Sequence, residues 1–121
     1  MADAKPILVA EDDALIRMVI CDVLTDHGFE PAEAASTAEA LALIEAREDL
    51  ETALIDIDLA DHGGGYLVAR RMRERRPEAR IVYTSGGARA DYSRERVDGA
   101  TFVPKPYHAD LVCHLIERSG R

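Results

Sequence analysis

The chain has 121 residues, of which 47% are hydrophobic and 31% are charged, a composition typical of one compact globular domain. Its formal net charge of −8 argues against a general nucleic-acid binder, because such proteins bind by neutralising phosphates. No apolar run has the length of a membrane span, and the first residues lack the pattern of a signal peptide. We therefore expect a single cytoplasmic domain over residues 1–121, with neither a membrane nor a nucleic acid as its partner.

Short apolar runs alternate with helical patterns from the start of the chain. The run Ile7–Ala10 predicts a buried strand that ends at Glu11 and Asp12. Asp13 is a good N-cap for a first helix, and Gly28 is a typical stop signal after it. The helical spacing of the apolar residues predicts the buried face of this helix, which consists of Leu15, Ile16, Val19, Val23 and Leu24.

The middle of the chain continues the same alternation. A weak strand is predicted at Glu30–Ala34, and Ser36–Glu39 has the form of a capping box that opens a second helix. The clearest buried strand is Thr52–Ile57. The glycine run Gly63–Gly65 then precedes a third helix, which ends before Pro77.

The last third of the chain completes five strand–helix units. Strands are predicted at Arg80–Thr84 and Thr101–Val103, with a short helix within Arg89–Val97 between them. A last helix follows at Tyr107–Ile116. Since crossover helices of this length join parallel strands, the pattern indicates a doubly wound α/β domain. The apolar face of the last helix is predicted to consist of Leu111, Val112, Leu115 and Ile116.

Two other groups of residues fit a structural role better than a functional one. Cys21 and Cys113 lie within helical patterns and have no metal-ligating neighbours, which favours two buried free thiols. The arginine-rich stretch Arg70–Arg76 is typical of the solvated face of an amphipathic helix.

Chemically active residues follow four of the five predicted strands. Glu11 and Asp12 come at the end of the first strand, Asp56 at the end of the third, Thr84 at the end of the fourth, and Lys105 after the fifth. In a parallel sheet of this class, functional groups gather beyond the carboxyl ends of the strands. We therefore expect three carboxylates, a hydroxyl and an ammonium to meet in one crevice.

This combination of groups indicates phosphoryl transfer. Three neighbouring carboxylates repel one another and require a cation or raised pKa values. Oxygen ligands favour a hard ion, Mg²⁺ or Mn²⁺, and the lysine and the hydroxyl are suited to stabilising the charge on phosphoryl oxygens. Asp56, on the most buried strand, is the candidate nucleophile.

Four segments together resemble a response-regulator receiver domain of two-component signalling over almost the whole chain. The order and spacing of these segments carry the resemblance, and they are Ile7–Asp13, Ala53–Leu59, Ile81–Ser85 and Gly99–Tyr107. The resemblance implies the flavodoxin-like receiver fold, in which a five-stranded parallel sheet of order 2-1-3-4-5 is flanked by five helices. It also implies the stand-alone type of receiver, with no output domain.

The resemblance assigns roles to the residues of the crevice. Asp56 is implied to be the phosphoacceptor, and Mg²⁺ is implied to bind Asp12 directly, Glu11 through water, Asp56, and the backbone carbonyl of Asp58. Lys105 is similar to the lysine of the family that contacts the phosphoryl group.

Three further features are implied by the resemblance. Thr84 is similar to the switch hydroxyl of the family, and Phe102 lies where the family has its switching aromatic ring. The Lys105–Pro106 peptide bond is expected to be cis. Phosphorylation is then expected to draw the loop after the fourth strand inward and to rotate Phe102.

The resemblance also implies partners and an activity. A histidine kinase or a histidine phosphotransfer protein donates the phosphoryl group. A downstream protein reads the surface made by the fourth predicted helix, the fifth strand and the last helix. The domain is expected not to be an enzyme beyond its own phosphorylation and dephosphorylation. Whether it is an effector, a relay or a phosphate sink stays open, as does its oligomeric state.

The chain departs from the family pattern in two places. Ala60 stands where the family usually has a proline. Asp58 adds a carboxyl beside the site, and from this added carboxyl we predict an altered lifetime of the phosphorylated form. Few apolar residues lie between Arg89 and Val97, so we predict that the helix there is short or mobile.

Two alternative functions remain. The first is an interaction module that has the receiver fold but is not phosphorylated. The second is a phosphatase similar to haloacid dehalogenases, with Asp56 as the nucleophile and Asp58 as the general acid. Those enzymes have this motif on their first strand, whereas here it follows the third.

Overall fold

The computed structural model describes residues 4–59, 64–86, 96–105 and 108–118. Five strands and four helices lie within these ranges: β1 (Lys5–Ala10), α1 (Ala14–Asp26), β2 (Phe29–Ala34), α2 (Thr37–Ala46), β3 (Thr52–Asp56), α3 (Gly64–Arg75), β4 (Arg80–Ser85), β5 (Thr101–Pro104) and α4 (Ala109–Arg118). The helix predicted within Arg89–Val97 falls almost entirely outside the described residues. The last of the five predicted helices is therefore α4.

The strands form one parallel sheet in the order β2-β1-β3-β4-β5, as predicted. The central strand β3 is buried along its whole length. Ala10 pairs with Ile55 across β1 and β3, and Asp56 pairs with Thr84 across β3 and β4. This register brings the residues that follow β1 and β4 alongside the end of β3.

Both faces of the sheet are covered, which confirms the doubly wound architecture. Alternating side chains of β1 and β3 point to opposite faces. One face packs against α2 and α3 through Ala40, Ile44, Val68, Ala69 and Met72. The other face packs against α1 and α4 through Ile20, Cys21, Leu24, Val112, Cys113 and Ile116.

The predicted buried face of α1 is wrong in part. Leu15 and Val19 are 65% and 50% exposed, whereas Ile20 and Cys21 join Leu24 in the core. The helix is apolar on several sides, so its spacing did not determine which side would face the sheet. In α4, similarly, Leu111 is 48% exposed.

The predicted helix signals are confirmed. The Asp13 carboxylate accepts hydrogen bonds from the backbone of Leu15 and Ile16 at the start of α1. The Ser36 hydroxyl accepts from the Glu39 N–H at 3.1 Å, and the Glu39 carboxylate accepts from the Ala35 N–H at 2.7 Å. These contacts fix the residue at which each helix begins.

Both cysteines are buried and free, as predicted. Burial raises the pKa of the Cys21 thiol and of the Cys113 thiol to about 11, so both remain protonated and unreactive at neutral pH. Among the described residues, no helix combines the length and the apolar character that crossing a membrane requires.

Candidate functional site

Three carboxylates meet at the carboxyl edge of the sheet. Oxygen atoms of Glu11, Asp12 and Asp56 all lie within 4.8 Å of one another. Glu11 and Asp56 are each only 4% exposed, whereas Asp12 is open to solvent. Buried carboxylates at such distances destabilise one another unless positive charge is nearby.

Lys105 supplies part of that positive charge. Its Nζ lies 2.9 Å from Glu11 Oε1 and 3.1 Å from Asp56 Oδ2. Burial acts to lower the pKa of Lys105, but the hydrogen bonds to Glu11 and Asp56 outweigh it and hold the pKa above its ordinary value. The ammonium therefore stays charged. The formal charges of the four side chains Glu11, Asp12, Asp56 and Lys105 sum to −2 when every one of them is ionised.

Contacts from β2, from the N-cap of α1 and from α1 itself hold Glu11 in place. Its N–H donates to the Ala34 carbonyl at 3.0 Å, and its Oε2 accepts from the Asp13 N–H at 3.1 Å. Arg17 donates to the Glu11 carbonyl at 2.8 Å, a supporting contact that sequence analysis did not identify. Burial raises the pKa of Glu11, and the nearby charge of Asp56 adds to this, while the contact with Lys105 opposes it.

Asp56 is oriented by the turn that follows β3 and by the close packing of α3. Its Oδ1 accepts from the Asp58 N–H at 3.0 Å. A side chain at Gly65 would place its Cβ 2.3 Å from the Asp56 carbonyl oxygen, so only glycine allows α3 to start this close to the strand. The Gly65 N–H also donates to the Ile57 carbonyl at 3.1 Å.

The remaining predicted residues lie around this cluster. Thr84 is 1% exposed at the end of β4, beside Asp56 in the sheet register. Phe102 is partly buried and packs against the core on the α2–α3 face. The Asp58 side chain is exposed and accepts a hydrogen bond from Ser85 Oγ at 3.0 Å, a contact that sequence analysis missed. Pro106 lies outside the described residues, so the predicted cis bond is untested.

The donor set fits a hard divalent cation. All three groups offer carboxylate oxygens, with no histidine or cysteine in the cluster, and oxygen ligands are those preferred by Mg²⁺ and Mn²⁺. The net negative charge of these four side chains favours a cation at the same place. The structure thus brings Glu11, Asp12, Asp56 and Lys105 together, with Thr84 beside them on the neighbouring strand.

Comparison with known proteins agrees with this geometry. Residues 7–117 match the model of the response regulator receiver domain. The chain belongs to this family. Membership makes it a domain of phosphorylation-activated two-component signalling rather than an enzyme of the usual kind, and it favours the receiver interpretation over the phosphatase alternative.

Relatives of two sizes match the chain. It is 35% identical over 121 residues to the photosynthetic apparatus regulatory protein RegA of Cereibacter sphaeroides, covering 98% of the chain but only 64% of that longer relative. It is 28% identical to the chemotaxis protein CheY of Bacillus subtilis, covering 96% of the chain and 98% of CheY. A response regulator receiver protein structure from Sinorhizobium medicae has a TM-score of 0.88 at 28% identity, covering 95% of the chain and 93% of that structure.

Proposed function

We propose that this receiver domain is a cytoplasmic switch that accepts a phosphoryl group on Asp56. One observation supports the proposal above the others: the buried Asp56 carboxylate contacts Lys105 at 3.1 Å and lies within 4.8 Å of oxygens of Glu11 and Asp12. A nucleophilic carboxylate surrounded by a lysine and by ligands for a cation is the arrangement that phosphoryl transfer requires. The donor is a histidine kinase or a histidine phosphotransfer protein, and residues 1–121 act as one domain.

The residues of the site have distinct roles in the transfer. A carboxylate oxygen of Asp56 forms a bond to phosphorus while the P–N bond to the donor imidazole breaks, and the electron pair stays on that nitrogen. The Asp58 N–H holds Asp56 Oδ1 and thereby fixes the orientation of the carboxylate. Lys105 donates to a phosphoryl oxygen as the charge shifts toward Asp56, and its 3.1 Å contact with Asp56 supports this role.

The same acids are suited to hold Mg²⁺, or Mn²⁺. We assign Asp12 as a direct ligand and Glu11 as a ligand through water, with Asp56 and the backbone carbonyl of Asp58 completing the protein ligands. When bound, the ion supplies positive charge that neutralises phosphoryl oxygens.

The response to phosphorylation begins at Thr84. A phosphoryl group adds a charge of about −1.5 to −2 and three acceptor oxygens. The Thr84 hydroxyl and Lys105 become its hydrogen-bond donors, and Phe102 turns inward in response. The changed surface, which includes β5 and α4, is read by a downstream protein.

The test is covalent modification of the purified protein. Incubation with acetyl phosphate and Mg²⁺, followed by intact-mass measurement, should add one phosphoryl group to the native protein. Asp56→Asn should abolish the gain, whereas Asp26→Asn, which changes an exposed acid on α1, should retain it. An undiminished gain in Asp56→Asn contradicts the assignment. No gain in the native protein favours a non-phosphorylated interaction module.

A further inference from the structure

A hydrogen bond between two side chains lies next to the proposed phosphoacceptor. Ser85, which is 1% exposed at the end of β4, donates from its hydroxyl to Oδ2 of the exposed Asp58 at 3.0 Å. Thr84, which directly precedes Ser85 on β4, is the register partner of Asp56 on β3. The bond therefore joins the turn after β3 to the end of β4, on the carboxyl side of this pair.

The same two residues also contact the site through the backbone. The Asp58 N–H donates to Asp56 Oδ1 at 3.0 Å, and the Ser85 carbonyl accepts from the Lys105 N–H at 2.8 Å. Lys105 Nζ returns to Asp56 Oδ2 at 3.1 Å. The Ser85–Asp58 bond thus closes a ring of four residues that includes Asp56, and it ties the Asp58 side chain to the end of β4.

We propose that Ser85 is a positioning residue that holds the Asp58 carboxylate at the mouth of the site, and that phosphorylation of Asp56 displaces this carboxylate. The inference rests on the proposed function. A phosphoryl group on Asp56 places about −1.5 to −2 of charge beside Asp58, and like charges repel. The Ser85–Asp58 bond therefore stabilises the unphosphorylated form.

Breaking the bond should make a phosphoryl group easier to accommodate. Ser85→Ala removes the donor and frees the Asp58 side chain to turn toward solvent. Asp58→Ala removes the acceptor together with its charge. Since Asp58 is exposed, the bond is expected to contribute no more than a typical hydrogen bond between neutral groups, and Ser85→Ala should tighten the binding of a phosphoryl mimic about fivefold.

The experiment is an equilibrium titration with beryllofluoride, a non-covalent phosphoryl mimic, in the presence of Mg²⁺. Amide NMR shifts give the affinity for native protein, Ser85→Ala, Asp58→Ala and the double variant. Both single variants should bind more tightly than the native protein, and the double variant should bind no more tightly than Asp58→Ala. Native affinity in Ser85→Ala, or a further fivefold gain in the double variant, would overturn the proposal.

A control separates positioning from a general loss of stability. Ser36→Ala removes the hydroxyl that caps α2, so it should lower the melting temperature and leave the affinity for beryllofluoride unchanged. If Ser85→Ala folds poorly, the exposed Asp58→Ala variant breaks the same bond without altering the core, and its unchanged affinity would also overturn the proposal.

The outcome also distinguishes this inference from the proposed function. If the native protein neither binds beryllofluoride nor gains mass from acetyl phosphate, both fail. If the native protein does both and the Ser85 and Asp58 variants match it, only the positioning role of Ser85 is wrong.

Discussion

Two clusters of charged side chains in this molecule differ in burial and in balance. At the carboxyl edge of the sheet, two of three carboxylates are 4% exposed and share one lysine. Between α2 and α3, Glu45 contacts Arg71 at 3.0 Å and also pairs with Arg75, while Arg71 contacts Glu74 at 3.1 Å. These four side chains are 41–63% exposed, and their charges sum to zero.

The difference shows why the number of ion pairs does not locate a functional site. Exposed pairs are screened by water and salt, and each contributes little to stability. A buried cluster with excess charge of one sign persists only because packing and hydrogen bonds hold it, and it favours a counterion. Burial together with a net charge distinguishes the cluster at the carboxyl edge of the sheet from the cluster on the α2–α3 surface.

The largest effect expected at the buried cluster is stabilisation by Mg²⁺. A cation that binds only the folded chain should raise the free energy of unfolding by about 2.7 kcal/mol at a free concentration near 100 times Kd. Thermal unfolding with Mg²⁺ and with a chelator measures this difference. Asp12→Asn should lose most of it and Asp26→Asn should keep it. Equal stabilisation of both variants would place the bound ion elsewhere.

The next effect concerns the lysine that partly balances this cluster. Lys105→Met, measured by urea unfolding with a chelator present, should lower the free energy of unfolding by about 2 kcal/mol, because Glu11 and Asp56 lose their shared partner. Lys5→Met, which changes an exposed lysine on β1, is the matched control and should cost less than about 0.5 kcal/mol. Similar losses in both variants would remove the distinction between buried and exposed charges.

A smaller effect is expected on the α2–α3 surface. Glu45→Gln removes the carboxylate that pairs with Arg71 and Arg75, yet it should change the free energy of unfolding by less than about 1 kcal/mol. Urea unfolding at low and high salt should show the difference shrinking as salt rises. A loss as large as that of Lys105→Met would contradict the comparison.

The smallest effect is a pH dependence at the junction of α1 and α4. His27 Nε2 lies 3.0 Å from Asp110 and Nδ1 lies 3.7 Å from Glu117. The hydrogen bond to Asp110 raises the pKa of His27 above its ordinary value of 6.5, and the charge of Glu117 adds to this. The resulting stabilisation is fully present below pH 6.5 and is lost as the pH rises through the higher pKa of the folded state.

His27→Gln should remove this contribution. The native protein should lose more stability than His27→Gln between slightly acidic and slightly alkaline pH, as measured by urea unfolding across that range. His114→Gln changes an exposed histidine of α4 and should behave like the native protein. Identical pH profiles for native protein and His27→Gln would show that the junction does not contribute.

The sequence was sufficient to predict the sheet and the meeting of the acids, for a physical reason. Parallel strands joined by helices place all their carboxyl ends at one edge, so Glu11, Asp12, Asp56 and Lys105 could be assigned to that edge from their positions after strands. The buried side of α1 was harder, because Leu15, Val19 and Ile20 are all apolar and only packing against the sheet and α4 selects among them.

Contacts between side chains of different segments were beyond the sequence. The Ser85–Asp58 bond depends on how the turn after β3 lies against the end of β4, and no spacing rule predicts that. The same holds for Arg17, whose guanidinium reaches the Glu11 carbonyl and also contacts Glu33 of β2 at 3.2 Å. The one available signal for Ser85 was its place directly after Thr84 at a strand end.

The most direct test is a crystal structure of the protein grown with Mg²⁺ and beryllofluoride. The proposed site predicts a metal ion bound by Asp12 and Asp56, with the mimic on Asp56 contacted by Lys105 and Thr84. A structure in which the ion or the mimic occupies another place, while Asp56 keeps only its contacts with Lys105 and Asp58, would contradict the proposed phosphoacceptor site.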